Sequence, residues 1–180
     1  MTKYEQLKPY HIQQDSKNSC TIACALMILN AMRGEQLTIA EFRDLLYDDR
    51  RYLRRWHQDP NVGMGTFIEY LERLFELLML ESKVTGSIKR RSSYREFQRE
   101  LELCTKVPKY FMLIERGIHW APAASYEIEN DSLMLLNVDT DIKTDAEYTH
   151  PQGEGESYFN SQDLWRNMGR REGFITVKRY

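Results

Sequence analysis

Residues 14–31 join a polar, turn-like run to a helix that is apolar on most of its sides. Cys20 stands at the junction, and the apolar positions that follow it are Ile22, Ala23, Leu26, Met27, Ile28, Leu29 and Ala31. The pattern therefore predicts that the Cys20 thiol lies at a helix N-terminus. Unpaired backbone N–H groups and the positive end of the helix dipole stabilise a thiolate there, which makes a cysteine nucleophilic near neutral pH.

Composition limits what this helix can belong to. The chain has 180 residues, of which 42% are hydrophobic, so it can bury one sizeable core and we expect a single domain over residues 1–180. The 25 basic and 27 acidic residues give a net charge of −2, which does not favour a nucleic-acid partner. The N-terminus lacks the apolar run of a signal peptide, and no apolar stretch reaches the ~18 residues of a membrane helix. We therefore expect a cytoplasmic protein that does not contact a membrane.

The chain contains three cysteines, Cys20, Cys24 and Cys104, which form an odd and sparse set. They show neither Cys-x-x-Cys nor paired Cys/His spacing, so the sequence predicts no disulfide framework and no metal site. A cysteine on an apolar helix is usually a small core residue. We interpret Cys24 and Cys104 in that way, and only Cys20 as a candidate nucleophile.

Further helices are predicted by three capping-box patterns, in which Ser or Thr is followed three residues later by Glu. These patterns begin at Thr38, Thr66 and Ser93. Apolar residues at helical spacing mark the core faces of the second and third helices, namely Phe67, Leu71, Leu74 and Leu78, and then Phe97, Leu101 and Cys104. Residues 83–92, between these two helices, are expected to form a polar excursion.

The pattern changes in the second half of the chain. Residues 109–115, 119–128 and 133–139 are short runs rich in apolar and aromatic side chains, separated by turn residues, and they predict strands joined by hairpins. A polar loop through Glu156, a short helix over 161–168 and a last strand over 173–178 are expected to follow. Helices first and antiparallel strands afterwards indicate an α+β fold, with N-terminal helices packed on a C-terminal sheet.

A catalytic thiol needs a base, the base needs an orienting group, and the oxyanion of the reaction needs a hydrogen-bond donor. His119 opens a predicted strand, where its ring can lie at the sheet edge beside the start of the Cys20 helix. Asn137 follows on the next strand, and its side-chain oxygen can accept the imidazole N–H. Asp139 is an alternative orienting residue, because two residues along a strand share a face. Gln14, six residues before the cysteine, is the candidate oxyanion donor.

These residues resemble the papain-like catalytic domain of phytochelatin synthases and, more distantly, C39-type peptidases, which also place a Gln six residues before the catalytic Cys. The matched positions in the first block are Gln14, Cys20, Ala23 and Leu29-Asn30-Ala31. Later blocks are His119-Trp-Ala-Pro122 with Tyr126, and Leu135-Leu136-Asn137-Val138, which resemble the family's His-Phe-Ser-Pro…Tyr and Leu-Asp-Val. The resemblance runs from about residue 10 to residue 178, with a poorly matched middle third.

The resemblance implies a papain-like cysteine-protease fold and a thioester acyl-enzyme on Cys20, with His119 as base, Asn137 as orienting residue and Gln14 in the oxyanion hole. An amine acceptor would then give a new amide, as in phytochelatin synthesis from γ-glutamylcysteine units, and water would give hydrolysis. The expected partner is a small peptide, a thiol or an acyl thioester, with an acyl or peptidyl carrier protein as a further option. No cofactor is expected.

Three departures from the family leave other functions open. Thr21 replaces a Gly, Asn137 replaces an Asp, and the segment Asp139-Thr-Asp-Ile-Lys143 replaces a basic and aromatic one. An amide can orient an imidazole as it does in papain, so the second departure is compatible with activity. The alternatives are a C39-like cysteine peptidase and a non-catalytic binding module on the same fold. All of these functions share one geometric expectation, that Cys20, His119 and Asn137 meet at the mouth of a pocket.

Overall fold

The computed structural model describes residues 1–13, 20–42, 75, 81–85, 93–116, 119–138, 155–168 and 173–178, with the side chains of residues 21, 81–85, 116 and 119 outside that description. Its helices are α1 (Lys3–Leu7), followed by a 3-10 turn (Lys8–Tyr10), α2 (Cys20–Arg33), α3 (Tyr94–Lys106) and α4 (Ser161–Asn167). Its strands are β1 (Glu81–Thr85), β2 (Tyr110–Arg116), β3 (His119–Glu127), β4 (Ser132–Leu136), β5 (Glu156–Asn160) and β6 (Phe174–Lys178). Residues 39–42 and residue 75 are also helical.

The six described strands form one sheet in the order β1-β6-β2-β3-β4-β5, and every neighbouring pair is antiparallel. β2 and β3 therefore lie in the middle. The β3–β4 register shifts between Ala123 and Ser125, which marks a β-bulge directly after Pro122. A proline lacks the N–H that a ladder needs, so it is tolerated inside a sheet mainly next to such an irregularity.

The sheet is buried on both faces, as the alternation along β2 shows. Phe111 and Leu113 belong to the core cluster that contains α2, whereas Met112 and Ile114 belong to the cluster that contains α3 and α4. Successive side chains of a strand point to opposite faces, so each β2 residue contributes to one core or the other. The two faces are called the α2 face and the α3 face below.

α2 is the most deeply buried helix among the described elements. From Ile22 to Leu29 no side chain is more than 1% exposed. A helix that is apolar around its circumference has to be covered on all sides, and here Leu7, Phe42 and Phe75 belong to the same cluster. α2 ends at Gly34, whose φ of +70° is favourable only for a residue without a Cβ, as in a common helix C-cap.

The α3 face is closed by α3 and α4. Phe97, Leu101 and Cys104 of α3 are fully buried, and Phe97 stacks on Trp165 of α4 with ring centroids 5.1 Å apart. Ser93 caps α3, because its hydroxyl accepts a hydrogen bond from the Glu96 N–H at 3.2 Å. The cap and the apolar face together explain why this helix forms where the sequence predicts it.

The N-terminal segment is fastened to the body of the protein at Lys3. This side chain is 1% exposed, and its ammonium donates to Val107 O at 3.0 Å, Pro108 O at 2.9 Å and Gln6 Oε1 at 2.9 Å. It also lies 3.9 Å from the centroid of the Phe111 ring. Burial lowers the pKa of Lys3 to about 8. A buried ammonium is tolerated only with such a full set of partners.

The predicted α+β class is confirmed, and so are α2, α3, α4 and the strands β2, β3, β4 and β6, within a few residues at their ends. The capping box at Thr38 is present, since Glu41 N donates to the Thr38 hydroxyl at 3.2 Å and the Glu41 carboxylate accepts from Thr38 N at 2.8 Å. The predicted helix from Thr66 lies outside the described residues except for residue 75, which is helical. None of the described helices is both long enough and apolar enough to span a bilayer.

Two strands correct the sequence interpretation. β1 occupies residues 81–85, where a polar excursion was expected from residue 83, and β5 occupies residues 156–160, which were not assigned to a strand. Both lie at the ends of the described strand order. Each has one neighbour among the described strands and is held to it by main-chain hydrogen bonds, which need no apolar alternation that a sequence could reveal.

Candidate active site

Cys20 is the first residue of α2, as the sequence predicts. Its side chain is 2% exposed and belongs to the core cluster of the α2 face. The thiol is therefore more enclosed than we expected from the sequence, which placed it at the mouth of a pocket. The reason is local: the residue opens a helix that is buried all round, so the first turn is covered together with the turns that follow.

Cys24 connects the first turns of α2 to the start of β3. Its thiol donates to the backbone carbonyl of Trp120 at 3.1 Å, and both residues are almost completely buried. Burial, with a smaller contribution from the neighbouring Cys20, raises the pKa of Cys24 well above its ordinary value, so the group remains a protonated donor. Cys20 lies one helical turn before Cys24, and His119 is the residue before Trp120.

His119 is the first residue of β3, and its backbone pairs with Arg116 of β2. Asn137 follows Leu136, the last residue of β4. Because β3 and β4 are antiparallel, the beginning of one and the end of the other lie at the same end of the sheet. This end of the hairpin is called the open end below. The hydrogen bond from Cys24 to Trp120 connects it to the first turns of α2.

Asn137 is 5% exposed and is held through most of its polar groups. Its backbone N–H donates to Gly155 O at 2.6 Å, and its carboxamide NH2 donates to Gly155 O at 3.0 Å and to the Ser157 hydroxyl at 2.5 Å. No described residue donates a hydrogen bond to its side-chain oxygen. The orientation of the carboxamide is thus fixed from its nitrogen, and the oxygen is the end left for a further donor.

His11 is a residue of this region that the sequence did not single out. Its Nε2 lies 2.6 Å from the backbone carbonyl oxygen of Asn137, across 126 positions of sequence. A nitrogen at that distance from a carbonyl oxygen acts as the donor. No local pattern announces such a contact, because the two residues belong to segments that meet only in the folded chain.

The other predicted site residues lie outside what the structure describes. Gln14 and Asp139 are not among the described residues, and of His119 only the backbone is described. The contacts of the Cys20 thiol with an imidazole, of the imidazole with Asn137 or Asp139, and of Gln14 with an oxyanion remain predictions. Among the described residues, no group of three or more His, Cys, Asp and Glu side chains is arranged to hold a metal ion.

Comparisons by sequence find no relative: no protein-family profile matches the chain, and no curated protein matches it. By structure, the chain is similar to the peptidase domain of Streptococcus ComA, a bi-functional ABC transporter involved in a quorum-sensing pathway, with a TM-score of 0.54. The similarity covers 95% of this chain and 99% of that domain, at 11% sequence identity. At that identity the likeness concerns the fold alone, and the chain therefore shares the fold of a peptidase domain.

Proposed function

We propose that this chain is a cysteine peptidase-like enzyme that cleaves an amide bond through a thioester on Cys20. The observation that carries the proposal is the hydrogen bond from Cys24 to the carbonyl of Trp120, which fastens the first turns of α2 to the strand that begins with His119. Cys20 lies one helical turn from this contact and His119 lies one residue from it, and the proposal requires that the thiol and the imidazole meet there. The fold shared with a peptidase domain supports the same chemistry.

In this proposal His119 takes the proton of the Cys20 thiol, and the thiolate attacks the amide carbonyl to form a tetrahedral oxyanion. Gln14 and the Cys20 backbone N–H stabilise the oxyanion. The intermediate collapses as His119 gives its proton to the leaving amine, which leaves a thioester. Water, deprotonated by His119, then attacks the thioester and releases a carboxylic acid and the thiol.

Asn137 serves as the orienting residue for His119. The hydrogen bonds from its NH2 to Gly155 and Ser157 support this role, because they point the side-chain oxygen away from those acceptors and leave it for an imidazole N–H. Asp139, two residues further along the chain, is the alternative. The two are distinguished by Asn137→Ala and Asp139→Ala, since only loss of the true orienting residue should impair the base.

A C39-like peptidase is the better supported of the two enzyme functions, because the structural likeness is to a peptidase domain. Transfer of the acyl group to an amine, as the resemblance to phytochelatin synthases implies, shares every step up to the thioester and differs only in the acceptor. Nothing in the fold likeness favours an amine acceptor over water. Peptidase and transferase are therefore distinguished by the product that a substrate yields.

The test is alkylation of the intact protein with iodoacetamide at pH 6–7, followed by mass spectrometry. We expect one adduct on Cys20, formed faster than on an ordinary thiol with a pKa of about 8.5, and lost in His119→Ala. Cys104→Ala is the matched control, because Cys104 is a buried thiol on the opposite face of the sheet and its removal should leave the rate unchanged.

Incubation with short peptides and with glutathione then identifies the reaction. Release of a free carboxylic acid supports the peptidase, and a new amide with an added amine supports the transferase. Labelling of Cys20 at the rate of a free thiol, independent of His119, would contradict both and would favour a binding module. Absence of labelling altogether would also contradict the proposal, because a thiol that no reagent reaches cannot attack a substrate.

A further inference from the structure

The backbone of Asn137 is held by a second segment of the protein, residues 1–13, through His11. Nε2 of His11 donates to the Asn137 carbonyl oxygen at 2.6 Å, while Gly155 O accepts the Asn137 N–H at 2.6 Å. With the two bonds from its carboxamide, every polar group of Asn137 except the side-chain oxygen has a described partner. Four hydrogen bonds therefore hold Asn137, although it lies outside regular secondary structure.

Gly155 leaves no slack in this arrangement. Its φ is +81°, and a Cβ at this position would lie 2.7 Å from the Asn137 carbonyl oxygen and 2.8 Å from His11 Nε2. A Cβ atom essentially never lies this close to another heavy atom, so a side chain at position 155 would displace its neighbours. The three residues therefore contact one another directly, and the contact depends on a glycine at position 155.

The segment that carries His11 is fastened at residues that precede it in the chain. Lys3 binds the carbonyls that follow α3, and Tyr4 donates to the Glu156 carboxylate, which Lys8 approaches at 3.7 Å. Glu156 is the residue next to Gly155. The imidazole is thus presented to Asn137 by a segment that is itself attached both to the α3–β2 junction and to the beginning of β5.

From this geometry we infer that His11 is a positioning residue for the active site, which fixes Asn137 so that its side-chain oxygen meets His119. This inference rests on the proposed function. His11 acts in it through the N–H that Nε2 donates to the Asn137 carbonyl, and it takes no part in proton transfer. Its effect on the reaction passes through Asn137 to the orientation of the imidazole.

The test compares two substitutions of the same residue. His11→Phe keeps a ring in the same space and removes the donor, whereas His11→Gln keeps an N–H donor. Tyr4→Phe is the matched control: it weakens the attachment of the same segment at Glu156 and leaves the contact with Asn137 in place. Each variant is assessed by thermal unfolding, by the pH profile of Cys20 alkylation, and by NMR hydrogen exchange of the Asn137 side-chain amide, assigned through Asn137→Asp.

We expect His11→Phe to slow Cys20 alkylation about tenfold at pH 6–7, the loss typical of a misplaced catalytic group, and to shift the profile towards that of an ordinary thiol. The Asn137 amide should exchange about tenfold faster, because its surroundings open more often. His11→Gln should restore both quantities to within about threefold of the wild type. Tyr4→Phe should leave the alkylation profile unchanged.

Two results would overturn the inference. One is an unchanged pH profile of Cys20 alkylation together with unchanged amide exchange in His11→Phe. The other is an equal loss of alkylation rate in His11→Phe and Tyr4→Phe, which would indicate general loosening of the segment. Gly155→Ala is an independent variant for the case in which His11→Phe fails to fold, and normal alkylation in it would also contradict the inference. If wild-type alkylation does not depend on His119 while His11→Phe still speeds amide exchange, the proposed function fails and the contact stands, so the two failures are distinguishable.

Discussion

The two ends of the β3–β4 hairpin each contain a polar residue bound to the neighbouring β5–α4 segment, and they differ in what is left unused. At the closed end Asp131 accepts hydrogen bonds from Tyr94 at 2.7 Å, Tyr126 at 2.8 Å and the Ser161 hydroxyl at 2.5 Å through Oδ1, and from Gln162 N at 3.1 Å through Oδ2. Both carboxylate oxygens are occupied. At the open end the N–H donors of Asn137 are occupied, and no described residue donates to its side-chain oxygen.

This difference separates a structural residue from a candidate functional one. A carboxylate with four donors is satisfied, and Asp131 joins the hairpin to α3 and α4 with its own φ at +55°. A buried carboxamide with a fixed nitrogen and an open oxygen is instead ready to receive one more N–H. Substitutions at the closed end should therefore change stability, and those at the open end should change chemistry.

The largest expected effect is on chemistry at the open end. His119→Ala should lower the rate of amide cleavage by about 10³-fold or more, because the base and the proton donor are lost together. The free energy of unfolding should change by less than about 1 kcal/mol, since the residue begins a strand at the edge of the site. Turnover of a peptide substrate and urea unfolding measure the two quantities. A large loss of stability with the loss of activity would remove the distinction between the two ends.

The next effect is on stability at the closed end. Asp131→Ala removes four hydrogen bonds and leaves Tyr94, Tyr126 and Ser161 without their shared acceptor, so we expect a loss of about 2–4 kcal/mol in the free energy of unfolding. Under conditions where the variant is folded, its rate of Cys20 alkylation should depend on pH as it does in the wild type. Urea unfolding and iodoacetamide labelling provide the measurements.

The sequence predicted the elements that carry local signals better than the contacts between residues that are far apart in the chain. α3 was predicted correctly because its cap at Ser93 and its buried face are local signals, and Cys20 was correctly placed at a helix start for the same reason. β5 carries the polar residues Glu156 and Ser157 and owes its structure to pairing with β4, which no short pattern encodes. His11 meets Asn137 across 126 positions and was missed entirely.

Cys24 and Cys104 sharpen the comparison, because both are buried thiols with a carbonyl partner. Cys104 donates to Leu101 O of its own helix at 3.2 Å, whereas Cys24 donates to another element, Trp120 O of β3. Cys24→Ala and Cys104→Ala should each lower the free energy of unfolding by about 1–2 kcal/mol. Only Cys24→Ala should also slow Cys20 alkylation, by about threefold to tenfold, because it loosens the contact between α2 and the start of β3.

Equal alkylation rates in these two variants would show that the bond from Cys24 does not position the site. Cys24→Ser, which keeps a donor of similar size, should recover much of the rate if the bond matters. Urea unfolding of the same samples ensures that the rates are compared in folded protein.

The smallest expected effect is the acid dependence of the closed end. Burial disfavours the charged form of Asp131, but the hydrogen bonds from Ser161, Tyr94, Tyr126 and Gln162 outweigh burial and lower its pKa in the folded protein. The unfolded chain then binds the proton more readily than the folded one, so the stability contributed by this carboxylate is present above its unfolded pKa of about 3.9 and is lost as the pH falls through the folded value.

Asp131→Asn should therefore be less stable than the wild type by a constant margin between about pH 7 and pH 5, and the margin should shrink below about pH 4 as Asp131 of the wild type becomes protonated. Urea unfolding at a series of pH values measures it. Asp163→Asn is the control, because that side chain lies on the surface of α4, 67% exposed, beside Arg166. A stability difference that grew on acidification would mean that the donors do not stabilise the Asp131 carboxylate. The closed end would then no longer differ from the open end in having its polar groups fully satisfied.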